Sequence, residues 1–144
     1  MNYSMVTLLY GMKFRRLLEK FLKPIEEEYA LNKVDLQIMF YLYSAGPLDT
    51  SKDIMELKLF TRGHISQSLG RLQKKGYVII EQDKEDRRCT HNHLTANAGE
   101  IINKLQDIFG RVQEILMQGV TEEEKNAVTS VVRKVNENMN RVVL

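Results

Sequence analysis

Apolar residues recur at helical spacing from the start of the chain. Between Ser4 and Tyr29 they are Leu8, Leu9, Met12, Leu17, Leu18, Phe21, Leu22 and Ile25, which predicts a long helix with a kink or break near Pro24. In "LNKVDLQIMFYLYSAGP" Asn32 is placed to cap a second helix, with Asp35 three residues on. Leu36, Met39, Phe40 and Tyr43 share one face of it, and Gly46-Pro47 ends it. "SKDIMELKL" fits a short third helix capped by Thr50 or Ser51. Thr61 caps a fourth, whose Ile65, Leu69 and Leu72 form a narrow stripe and which stops at Gly76. The period then changes. "YVIIEQ" is short and β-branched and predicts a strand, "DKED" a turn and "RCTHNHLT" a returning strand. Helical spacing resumes with Ile101, Leu105, Ile108, Val112, Ile115 and Leu116. A capping box of Thr121 and Glu124 opens the last helix, with Val128, Val131, Val132, Val135, Met139 and Val142 on one side.

Four helices, a hairpin and two more helices in 144 residues fit one mainly α (α+β) domain spanning 1–144. Two short helices joined by a tight turn and followed by a hairpin predict a winged helix-turn-helix at 32–95. The long helices of 1–31 and 96–144 flank it. The fourth helix spends a narrow stripe on the core and leaves Arg62, Gly63, Ser66, Gln67, Gly70, Arg71 and Lys74 outside. Small and amide residues let a helix approach base edges in the major groove.

Charge sharpens this picture. The net charge is only +2, but Thr61 to Gly76 holds Arg62, Arg71, Lys74 and Lys75 and no acid, while "IEEEY" and "TEEEK" carry acidic runs elsewhere. At the hairpin tip stand Asp86, Arg87 and Arg88. A guanidinium suits the concentrated negative potential of a narrow minor groove, and an aspartate beside it can hold it in a bidentate pair. Asp86 is therefore expected to orient Arg87.

The stretch "TRGHISQSLGRLQKKGYVIIEQDKEDRRCTHNHLT" resembles the MarR family of transcription regulators. The carriers are a capped recognition helix, Leu-x-x-x-Gly, an apolar strand, Asp-Arg-Arg, and Leu-Thr after the wing. The resemblance implies a homodimer held by the terminal helices, a repressor on a pseudo-palindromic operator of double-stranded DNA, read by the fourth helix and the wing arginine Arg87. It leaves room for a small-molecule effector, whose chemistry no residue names. The expected DNA-binding residues are Arg62, Gly63, His64, Gln67, Arg71, Lys74, Asp86, Arg87 and Arg88. Four positions depart from the family pattern. Lys58 or Leu59 replaces the glycine of the helix-turn-helix bend, Ala98 replaces a glycine after Leu-Thr, and Thr90 and Asn92 replace apolar strand residues, which predicts a less well packed wing.

Other chemistries find little support. No Gly-rich phosphate loop, nucleophile elbow or His-Glu metal motif is present, so neither an enzyme nor a cofactor is expected. The one cysteine, Cys89, forms no internal disulfide. With His91 and His93 it shares one strand face, which raises two alternatives, a metal-responsive site and a redox-active thiol activated by the neighbouring arginines. Three ligands along one flat strand converge poorly, so no metal is expected. A further alternative is a winged-helix dimer that binds a protein instead of DNA. No apolar run reaches the roughly 20 residues needed to span a bilayer, and no secretion signal is evident, so a cytoplasmic location away from membranes is expected.

Overall fold

The computed structural model describes residues 3–142, with side chains from Leu9 onward. Leu8, counted above in the first apolar stripe, has its side chain outside that range, as do the outermost two residues at each end of the expected 1–144 span. The elements run α1 (Tyr3–Tyr29), α2 (Lys33–Ser44), α3 (Ser51–Glu56), α4 (Arg62–Lys74), β1 (Val78–Gln82), β2 (Thr90–Leu94), a 3₁₀ turn (Ala96–Ala98), α5 (Gly99–Leu116) and α6 (Glu122–Val142). This is the expected order. Pro24 does not break α1, which continues through it to Tyr29.

The ends of the elements are set by local chemistry. Asn32 accepts the Asp35 amide while the Asp35 carboxylate accepts the Asn32 amide, a reciprocal cap, and Thr50 and Asp53 repeat it at α3. Thr61 Oγ1 accepts the His64 amide at 3.1 Å and opens α4. Gly76 closes it at φ +82°, with the Tyr77 amide on the Leu72 carbonyl, a Schellman cap. The helix-turn-helix bend needs one left-handed residue, and Lys58 takes that role at φ +57° in place of a glycine.

The chain divides into two compact units, one ending at Phe109 and the other beginning at Gly110. In the first, Leu22 and Ile25 of α1, Leu36, Ile38 and Met39 of α2, Ile54 of α3, Ile65, Leu69 and Leu72 of α4, Val78 of β1, and Ile101 and Leu105 of α5 are buried. Ala98 is buried too, at 1% exposure. The strands pair antiparallel in the register Val78 to Leu94 and Gln82 to Thr90. The hairpin is not isolated: Thr50 bridges to His91, which joins the segment before α3 to the edge of β2. In the second unit α6 buries none of its side chains, and Val128, Val131, Val132, Val135, Met139 and Val142 are all exposed.

The expectation of a poorly packed wing is not met at Thr90 and Asn92. Asn92 is 1% exposed, and its side-chain amide and backbone amide both donate to the Asp49 carbonyl, at 2.8 and 3.0 Å. Thr90 Oγ1 lies 3.3 Å from Ser51 Oγ. Polar strand residues here replace apolar packing with hydrogen bonds to the segment leading into α3.

Candidate nucleic-acid interface

α4 turns its apolar stripe inward and leaves Arg62, Gly63, His64, Ser66, Gln67, Gly70 and Lys74 exposed. No acid lies on this helix. The Cβ position of Gly70 meets nothing within 4 Å, so the glycine keeps that part of the face low. Between α3, α4 and the wing lies a cleft of about 670 Å³, bordered by Lys52, Arg62, Gly70 and Arg88 over a floor that includes Met55 and Leu69. The fold thus brings Arg62 of α4 and Arg88 of the tip, 26 residues apart in number, to the rim of one cleft, and adds Lys52, which sequence reasoning passed over. No carboxylate among the described residues borders it.

Arg71 takes a different place. Its Nε and Nη2 donate to Oδ2 and Oδ1 of Asp35, at 3.1 and 2.9 Å, and Asp35 also accepts the Ser68 hydroxyl at 2.6 Å. Asp35 and Ser68 are both fully buried. Burial by itself would push the Asp35 carboxyl up, but the hydrogen bonds from Arg71, Ser68 and the Asn32 amide outweigh it and hold the group below its usual range. An arginine expected only on the DNA face therefore binds α4 to the start of α2. Lys75 is likewise engaged, donating to the carbonyls of Tyr29 and Ala30 at the end of α1.

The tip is built by two aspartates acting on backbone. Asp83 Oδ1 accepts the amides of Glu85 and Asp86, and Asp86 Oδ1 accepts the amide of Arg88. The expected Asp86–Arg87 pair is not formed. Asp86 instead lies 3.5 Å from Arg88 Nε, and Arg87 is fixed through its carbonyl, which accepts from Gln82 Nε2 at 2.8 Å. The reason is geometric: in a turn this tight, Asp86 faces the residue two positions on, not its immediate neighbour. Arg87 and Arg88 both remain exposed, and Arg88 is 94% so.

Cys89 does not have an activated thiol. Burial and the nearby Asp86 carboxylate push it up, and its Sγ lies 3.7 Å from Asp86 Oδ2. The opposing influence comes from Lys52, not from the neighbouring arginines, and it is outweighed. His91 and His93 direct their nitrogens at carboxylates, and among the described residues no group of three or more His, Cys, Asp or Glu is placed to hold a metal ion. Nor, among those residues, is any helix long and apolar enough to cross a membrane.

Comparison with known proteins agrees with this geometry. Residues 31–98 match the family model described as a winged helix DNA-binding domain. The chain is 29% identical over 136 residues to YwaE of Bacillus subtilis, an HTH-type transcriptional regulator, covering 94% of this chain and 78% of that one. Its fold is shared with a MarR protein from Peptoclostridium difficile (TM-score 0.79, 21% identity, 94% and 88% of the two chains). It is shared also with S. aureus MepR in its DNA-binding conformation (TM-score 0.81, 18% identity, 96% and 99% of the two chains). MepR in complex with DNA superposes with a TM-score of 0.74 at 19% identity, over 96% and 98% of the two chains. The chain thus carries a winged helix DNA-binding domain at residues 31–98 and shares its overall fold with proteins of the MarR type.

Proposed function

We propose that this chain is a transcriptional repressor that binds a pseudo-palindromic operator as a homodimer and is released by a small-molecule effector. The observation that carries the DNA part is the acid-free, exposed face of α4 sharing a cation-rimmed cleft with the wing. Arg62, Gly63, His64 and Gln67 are the residues assigned to base edges, Lys74 to phosphate, and Arg87 and Arg88 to the groove beside the wing. Asp86 serves them by shaping the tip. Arg71 serves by seating α4, its guanidinium being engaged by Asp35. That MepR, a protein of this fold, is solved on DNA supports the same use of the helix and wing here.

The homodimer is supported by the apolar stripe of α6, whose exposed Val128, Val131, Val132, Val135 and Met139 recur at helical spacing. Residues 1–31 and 96–144 are assigned to that interface, and two-fold symmetry matches two half-sites. The effector and the sign of regulation rest on the family resemblance. Footprinting the purified protein on DNA around its own gene, with mobility shifts at rising salt, tests the proposal. A salt-sensitive, two-fold symmetric footprint is expected. Absence of any shift would favour the protein-interaction reading instead.

A further inference from the structure

β2 carries His91 and His93 two residues apart, and so on one face of the strand. Their rings stack with centroids 6.3 Å apart and planes 9° apart. Both nitrogens of His91 meet carboxylates from different elements. Nδ1 is 2.6 Å from Oδ1 of Asp49, in the segment between α2 and α3, and Nε2 is 2.7 Å from Oδ2 of Asp83, where the tip begins. His93 is held more loosely, 3.5 Å from Asp49 and 3.8 Å from Glu81.

A neutral imidazole has one N–H and one lone pair. With an anionic oxygen at each nitrogen, the neutral ring would set its lone pair against a carboxylate; only the doubly protonated ring donates to both. The bonds to Asp83 and Asp49 accordingly push His91 up to about 9. His91 and the amides of Asp86 and Glu85 pull Asp83 down to about 2. Around the ring stand Asp49 from the α2–α3 segment, Glu81 from β1, Asp83, Lys84 and Glu85 from the tip, and His93 on its own strand. Carboxylates predominate, which favours the cation.

We propose that His91 is a positioning residue of the wing, tying Asp83 at the base of the tip to Asp49 before α3 so that the tip meets DNA in one orientation. The proposal rests on the DNA-binding reading of the wing. Asp83 makes the coupling direct: one of its oxygens receives His91, and the other receives the Glu85 and Asp86 amides that shape the tip. Asp49 is equally committed, since its carbonyl accepts Asn92 twice and the next residue, Thr50, caps α3. A two-stranded hairpin is marginal unless packed on something. Of the two histidines that face Asp49, His91 makes the shorter contact between this hairpin and the segment before α3.

The test compares wild type with His91→Gln, which is neutral and cannot donate to both carboxylates. Amide exchange and nitrogen NMR of the imidazole are recorded without DNA, from pH 6 to 10. Affinity for the footprinted duplex is measured in parallel. In the wild type both ring nitrogens should be protonated at pH 7, and protection of residues 83–89 should fall as the pH passes about 9. In His91→Gln that protection should be roughly tenfold lower and independent of pH, with α2 and α4 unchanged, and DNA affinity should fall by about the same factor. An imidazole titrating near its ordinary value of about 6.5 would overturn the proposal. So would unchanged wing protection, an equal loss of protection throughout the fold, or unchanged affinity in a variant whose wing is loosened. If the wild type binds no DNA, the DNA reading fails, the wing has no DNA to be oriented for, and the proposal falls with it. The exchange data then show whether the tie itself exists.

Discussion

Arg71 of α4 holds the fully buried carboxylate of Asp35, at the start of α2, through two hydrogen bonds of 2.9 and 3.1 Å. Ser68, one turn earlier on α4, completes the contact at 2.6 Å. The recognition helix is therefore seated from its inner edge by a charge-assisted network while its outer face stays open. Arg71→Ala removes the fork and leaves a buried anion with only neutral donors. Breaking a buried pair costs ~3–5 kcal/mol, and the partial exposure of Arg71 places this loss lower, at about 2 kcal/mol. Urea denaturation measures it, and Asp35→Leu combined with Arg71→Met should recover much of the loss.

The same network sets an acid limit. The folded-state value of Asp35 is depressed, so its contribution is present above the ordinary carboxylate range near about 4 and is lost as the pH falls through the lower folded value. The difference in stability between wild type and Asp35→Asn should shrink on acidification. Paired denaturation curves between pH 7 and pH 2 check this, and a constant difference would contradict it.

Gln67 and Lys74 are both exposed on α4 and should fail differently. Gln67→Ala should relax discrimination at one or two operator positions by roughly 1–3 kcal/mol. Lys74→Ala should weaken binding to every sequence and lower the salt slope by about one. Titrations on operator and scrambled duplexes at several salt concentrations separate the two.

At the wing tip, Asp86 belongs with Arg88 and Gln82 with Arg87. Double-mutant cycles of DNA affinity should show coupling of about 0.5 kcal/mol or more for Asp86 with Arg88, and for Gln82 with Arg87. Asp86 with Arg87 should be near additive. Arg87→Ala should barely move the unfolding midpoint, because a charge on an exposed tip contributes little to stability. A strong Asp86–Arg87 coupling would mean that the tip rearranges on DNA.

The stripe on α6 gives the last expectation. Val132→Glu places a charge in the middle of the proposed dimer seam and should weaken association by roughly 3 kcal/mol, about a hundredfold in dissociation constant. Sedimentation velocity across micromolar concentrations checks it. If the variant sediments like the wild type, the seam lies elsewhere.

What the amino-acid order determined alone is whatever depends on neighbours within a turn or two. The caps at Asn32, Thr61 and Gly76, the narrow stripe of Ile65, Leu69 and Leu72, and the change of period at Tyr77 are of this kind, and the observed elements follow them. Lys58 in the bend was legible as a position but not as a conformation, since its φ of +57° is imposed by the helices it joins. Which carboxylate each cation meets was not legible. Arg71 finds Asp35 across 36 residues and His91 finds Asp49 across 42, and several acids in the chain were equally plausible partners for either. Even within the tip, Asp86 turns to Arg88 and not to its neighbour Arg87 because the turn fixes its direction. Periodicity and caps are local energies that short stretches carry with them. Charge pairing and the assembly of a binding face depend on distances that exist only after the chain has folded.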